Sequence, residues 1–155
     1  MSAAVYDAAL AEGVEPDVAF RLVRVESGFV EAAVSPVGAL GLTQLMPATA
    51  AELQPGIARD EILLRDTNLH LGLRYFGRLL RYYDGDVEEA LHAYNRGPGT
   101  VARIRAGGGD PANGYARKVL GATGASPVSA RGAEIDSLAA PPLHELPAAR
   151  LPAGM

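Results

Sequence analysis

Apolar positions recur along this chain at helical spacing, in short segments set off by glycine and proline. Ala4 to Glu12 predicts a helix stopped by Gly13. A second helix opens near Pro16, a favoured first helical position, and runs through PDVAFRLVRVES to Gly28. The stretch VEAAVSPVGALG carries Ser-Pro and two glycines and reads as a turn-rich loop or a small β-hairpin near 30–45. Pro47 opens PATAAELQ, which Pro55-Gly56 ends. The longest helix is expected from about Asp66 to Tyr83. Leu69, Leu73, Phe76, Leu80 and Tyr83 form one apolar stripe on it and Leu71, Tyr75, Leu79 and Tyr82 a second, so it is largely buried. Asp86 is placed to cap VEEALHAYNRG, Gly97-Pro98-Gly99 reverses the chain, and TVARIRA and GYARKVLGA predict two more short helices. Beyond Ala122 the stripe is lost. Residues 122–155, rich in Ala, Pro, Ser and Gly, are expected to form a disordered tail or linker. There is no repeat at a period of about 20 to 50 residues. The expectation is a compact all-α domain over 1–121.

One polar position breaks the pattern of the second helix. At about 100° per residue, Val18, Ala19, Leu22, Val23 and Val25 define its apolar arc, Arg21 and Arg24 lie opposite, and Glu26 falls near the middle of the arc. A buried carboxylate near the negative end of a helix dipole is disfavoured in its charged form, which raises its pKa toward the range of a general acid. The same position also suits a structural ion pair with an arginine. Periodicity leaves both readings open.

Composition narrows the classes. With 155 residues, 48% hydrophobic and 21% charged, the chain fits one soluble globular domain. Its net charge of -4 exerts no global pull toward nucleic acid or an anionic surface, so a partner has to be argued from a site. No apolar run approaches the roughly 18 residues of a membrane span. The start, MSAAVYDAALAEG, lacks a basic segment before an apolar block, so no export signal is expected in this chain. Zero cysteines exclude disulfides and thiolate ligands. His92 and His144 have no partners at metal-ligand spacing, and neither a Gly-rich phosphate loop nor a Ser-His-Asp set is present, so no metal or other cofactor is implied. Arg74, Arg78 and Arg81 form a helical stripe with His70, read as a solvated face in preference to a binding surface for an acidic polymer.

Four blocks gain meaning when taken together: ESGF at 26–29, AVSPVGALGLTQLMPATA at 33–50, ALHAYNRGPGTV at 90–101 and GYARKVL at 114–120. In the second, Gly38 and Gly41 permit positive φ and a close approach to backbone. Gln44 offers a donor and an acceptor, suited either to the N-acetyl and hydroxyl groups of an amino sugar or to bridging backbone within the loop. Met46 either lines a sugar site or packs in the core. Tyr94 either reaches the site or packs with an amphipathic tip.

In these blocks, and in their order, the chain resembles the lytic transglycosylases of the soluble, Slt type, which share the goose-type lysozyme-like fold with its substrate groove. The resemblance implies Glu26 as the catalytic acid, with Ser27 holding it in place. It implies Gln44, Met46, Tyr94, Asn95 and Tyr115 as residues contacting substrate or the acid. The chain departs from the family at Pro111 and Ala112, where Glu-Thr is usual, so the loop from Gly107 to Gly114 is expected to shape the cleft in its own way.

Glycoside hydrolases generally need two carboxylates about 5 to 9.5 Å apart. Here one is well placed, while Glu31 and Asp66 lie outside the motifs. The resemblance implies that one suffices, because the muramic acid 6-hydroxyl serves as nucleophile and closes a 1,6-anhydro ring. The implied partner is the glycan strand of peptidoglycan, encountered in the cell envelope, with no nucleic acid and a monomer expected. Two rivals are a lysozyme-like or chitinase-like hydrolase on the same fold and a non-catalytic wall-binding module.

Overall fold

The computed structural model describes residues 1–121, and the tail expected over 122–155 lies outside them. Eight helices follow one another among the described residues: α1 (Ser2–Glu12), α2 (Pro16–Ser27), α3 (Pro47–Leu53), α4 (Arg59–Ile62), α5 (Arg65–Tyr82), α6 (Val87–Arg96), α7 (Pro98–Ala106) and α8 (Tyr115–Leu120). The all-α expectation holds. Most boundaries follow from the signals read above. Gly13 and Gly28 end α1 and α2 in the left-handed conformation, at φ 70° and 59°. Pro16 and Pro98 occupy first turns, and the Asp86 carboxylate accepts the Glu89 amide at 3.0 Å to cap α6.

Two expectations change. Pro55-Gly56 follows the end of α3 as expected, but beyond it lies a further helix, α4, that the sequence does not announce. At four residues it is too short to show a period, and its start is held by the Glu61 carboxylate on the Ala58 amide at 2.8 Å. The small hairpin near 30–45 is present only as two isolated antiparallel bridges, Val34 with Leu40 and Leu40 with Leu45. The chain here turns too tightly for a ladder to extend.

Helix α5 is the axis of the fold, in contact with α1, α3, α4 and α6. Both of its apolar stripes are used: Leu69, Leu71, Leu73, Tyr75, Phe76 and Leu79 are all at most 2% exposed, and only the last turn emerges. Fully burying a side chain of this size stabilises the fold by about 1.5–3 kcal/mol. The arginine stripe is not merely solvated, because Arg74 grips both carboxylate oxygens of Glu12 (3.0 and 3.1 Å) and His70 lies 3.2 Å from the same group. This cluster ties the end of α1 to α5 and holds the Glu12 carboxyl below its usual range through the arginine and histidine hydrogen bonds, against the opposing effect of burial.

Candidate active site

The segment Ala39–Leu45 is buried throughout although it is irregular, so its backbone polar groups need internal partners. Leu40 and Leu45 exchange both backbone bonds at 2.9 Å, closing a tight turn over residues 41–44. Asn68 on α5 supplies further partners. Its Nδ2 donates to the Leu40 and Ile62 carbonyls (2.8 and 3.0 Å), and its Oδ1 accepts from the Thr43 amide and hydroxyl (both 2.8 Å). All four hydrogen-bonding positions of one amide are thereby filled. Two glycines make the approach possible. A Cβ at Gly41, where φ is 73°, would stand 2.4 Å from Asn68 Nδ2, and one at Gly72 would stand 2.1 Å from Thr43 Oγ1. The turn is pressed directly onto α5.

Above this floor, Glu26 ends α2 with 7% exposure. The Tyr115 hydroxyl, from the first residue of α8, donates a short hydrogen bond to Glu26 Oε1. Oε2 is buried with no partner among the described residues, so a neutral Glu26 carries its proton there. Burial raises its carboxyl and the Tyr115 hydrogen bond opposes that rise, leaving the group raised to about 7. Near neutral pH the group exchanges a proton readily in either direction, which is what an acid that must later act as a base requires. No other carboxylate among the described residues interacts with it electrostatically. Glu31 is exposed and attracted to Arg65, and Asp66 is paired with Arg65 at 2.8 Å.

The other expected residues divide. Tyr115 reaches the acid directly, whereas Asn95, 9% exposed at the end of α6, accepts a hydrogen bond from Asn113 at 2.7 Å and is linked to Tyr115 only through that residue. The Tyr94 ring interacts with the Glu26 charge, but Tyr94 is fully buried against Tyr75 and Phe76, and its hydroxyl donates to the Thr43 carbonyl at 2.8 Å. It supports the turn through this bond, with its side chain buried. Ser27 also differs from expectation. Its hydroxyl donates back to the Val23 carbonyl at 3.2 Å, one turn earlier in its own helix, and does not hold Glu26. Gln44, at φ 48°, donates through Nε2 to the Gly41 and Ala33 carbonyls (2.9 and 3.3 Å), leaving Oε1 as the amide's free acceptor among the described residues. Met46 is half-buried at the entry to α3.

Two residues escaped sequence reasoning, Asn68 and Asn113. Beside one near partner each, Ile62 and Tyr115, their other partners lie 25 to 28 positions from Asn68 and 18 from Asn113, so local spacing does not betray their roles. Two surface hollows, of about 340 Å3 beside Asp7, Arg65 and His70 and about 500 Å3 beside Glu15, Arg81 and Asp84, are lined by none of the residues around Glu26.

The family model described as the transglycosylase SLT domain matches residues 4–113. The chain belongs to this family. The matched span includes Glu26, Gln44, Met46, Tyr94 and Asn95 and stops short of Tyr115, which the fold nevertheless brings onto Glu26. The soluble lytic murein transglycosylase of Escherichia coli strain K12 is 34% identical over 89 residues, covering 54% of this chain and 14% of that protein. The peptidoglycan transglycosylase gp16 of Escherichia phage T7 is 34% identical over 97 residues, covering 61% of this chain and 7% of that protein. The chain thus spans a small part of the relatives it matches. Among solved structures, an inactive variant of the lytic transglycosylase Slt from Pseudomonas aeruginosa superposes with a TM-score of 0.67 at 29% identity, over 76% of this chain and 22% of that one. The 70 kDa soluble lytic transglycosylase in complex with bulgecin A gives 0.66 at 27%, again over 76% and 22%. The SLT-family chain shares the lysozyme-like helical fold of these enzymes.

Proposed function

We propose that this SLT-family chain is the catalytic domain of a peptidoglycan lytic transglycosylase, acting in the cell envelope on the β-1,4 bond between N-acetylmuramic acid and N-acetylglucosamine. The observation that carries the reading is a single buried carboxyl at the end of α2, pushed up to about 7, gripped on one oxygen by Tyr115 and free of any neighbouring carboxylate among the described residues. Glu26 donates the Oε2 proton to the glycosidic oxygen as the bond from that oxygen to C1 breaks. The muramic 6-hydroxyl oxygen then bonds to C1, and its proton passes to Glu26, which returns to the acid form. No water is consumed, and a 1,6-anhydro end is released. Asn95 Nδ2, Gln44 Oε1, Met46 and Tyr115 are the groups assigned to substrate, through donor, acceptor and apolar contacts that hold the sugar near its reactive conformation. Among the described residues no helix is long and apolar enough to cross a membrane.

Digestion of purified sacculi with wild type and Glu26→Gln, followed by mass spectrometry of the released fragments, tests the reading. Anhydro ends from wild type and none from the folded variant are expected. Reducing ends would instead assign a hydrolase, and saccharide binding without turnover a wall-binding module.

A further inference from the structure

The loop between α7 and α8, residues 107–114, is rich in glycine. It is nonetheless pinned to the end of α6 at two points. Arg96 donates to the Pro111 carbonyl at 2.9 Å, and Asn113 Nδ2 donates to Asn95 Oδ1 at 2.7 Å. The same Asn113 amide accepts, through Oδ1, the backbone N–H of Tyr115 at 3.2 Å. That second bond matters because α8 is six residues long and its N-cap is Gly114, which has no side chain to satisfy the first amides.

The geometry points to Asn113 as a positioning residue for the proposed reaction, one amide that fixes both the substrate-facing orientation of Asn95 and the placement of Tyr115 on Glu26. An asparagine side chain has two ends of opposite hydrogen-bonding sense. By donating to Asn95 Oδ1, Asn113 selects the flip in which Asn95 Nδ2, which has no partner among the described residues, is left to donate to an acceptor such as an N-acetyl carbonyl. By capping Tyr115, it anchors the residue whose hydroxyl makes the one hydrogen bond to Glu26. The titratable groups that interact with Glu26 are Tyr115 on α8 and Tyr94 on α6, and Tyr94 is committed to Thr43. Tyr115 is therefore the adjustable one. Asn113 is exposed and makes no hydrogen bond to Glu26 itself; its bonds go to Asn95 and to the Tyr115 amide, and it acts on Glu26 through the latter.

The inference rests on the reading of Glu26 as the acid, and its test keeps the two apart. The Glu26 carboxyl is titrated by carbon NMR in wild type, Asn113→Ala and Asn113→Ser, a measurement that needs no turnover. KM and kcat on solubilised glycan strands are measured alongside. Serine keeps a short acceptor for the Tyr115 amide but does not reach Asn95. Asn113→Ala is expected to move the Glu26 midpoint upward, because the Tyr115 hydrogen bond that lowers it is loosened, and Asn113→Ser to bring it back toward wild type. Both variants are expected to raise KM roughly threefold to tenfold, the effect of losing one oriented hydrogen bond. An unchanged midpoint in a folded Asn113→Ala, or an unchanged KM in Asn113→Ser, overturns the assignment. Should the alanine variant not fold, the serine variant decides through KM. Absence of turnover in wild type defeats the proposed reaction and leaves the titration to decide the link from Asn113 to Glu26.

Discussion

Tyr115 donates its hydroxyl hydrogen to Glu26 Oε1 across 89 positions of sequence, joining the first residue of the last described helix to the end of the second. The bond opposes burial, which is the larger influence on Glu26. Removing it in Tyr115→Phe leaves burial unopposed. The alkaline limb of the kcat/KM profile on peptidoglycan, set in wild type near 7 by Glu26, is expected to move to higher pH in this variant. A limb that stays in place or moves down would separate Tyr115 from the acid's titration.

The raised Glu26 carboxyl also makes stability depend on pH with a definite sign. It lies at about 7 in the folded protein against 4.5 for the ordinary group, so the folded state binds this proton more tightly than the unfolded one. The associated stability is fully present below about 4.5 and is lost as pH rises through about 7. At its limit the difference is about 3 kcal/mol, since each tenfold change in proton affinity is worth about 1.4 kcal/mol. Glu26→Gln, neutral at every pH, is therefore expected to match wild type in thermal melts near pH 4 and to exceed it near pH 9. Parallel melting curves across that range would contradict the assignment.

The Asn68 side chain makes four hydrogen bonds, three to Leu40 and Thr43 about the 41–44 turn and one to Ile62 in α4. Asn68→Ala removes the Asn68 partner of the Ile62 carbonyl and the Thr43 amide and one of the two donors to the Leu40 carbonyl, and a loss of about 2–4 kcal/mol is expected by urea unfolding. Activity should fall further than stability alone explains, since Gln44 rides on this turn. Tyr94→Phe, which removes one bond to the Thr43 carbonyl, is expected to lose only about 1 kcal/mol.

Gly72→Ala places a methyl group 2.1 Å from Thr43 Oγ1 at a fully packed contact. Destabilisation of about 1–3 kcal/mol is expected. Combined with Thr43→Ala, the loss should be smaller than the sum of the two single variants, because the second change removes the atoms that collide. Additive losses would mean that the two sites do not touch.

Helix ends and the inward direction of Glu26 are legible in the sequence because they rest on local chemistry. Gly28 permits φ of 59°, Asp86 caps its own helix, and the wheel of α2 puts residue 26 on the apolar arc. Of the residues the family blocks point to, Tyr115 is the one that bonds to it. What the sequence hides depends on distant partners or on very short elements. Helix α4 is a single turn, and the Ser27 hydroxyl goes to a carbonyl one turn back in place of the neighbouring carboxylate. Asn68 and Asn113 look like ordinary polar residues until the fold brings their partners to them. Gln44 satisfies the blander of its two readings at Nε2, by bridging backbone within the loop.

The fold favours the proton on Glu26, and this gives the proposed reaction a mechanical rhythm. Each turnover begins with the molecule in its more comfortable ionisation state, passes through a brief anionic interval in which the end of α2 and the start of α8 are under the greatest electrical stress, and relaxes when the sugar hands its proton back. The substrate that closes its own ring thereby also resets the protein, with no second molecule needed to recharge it.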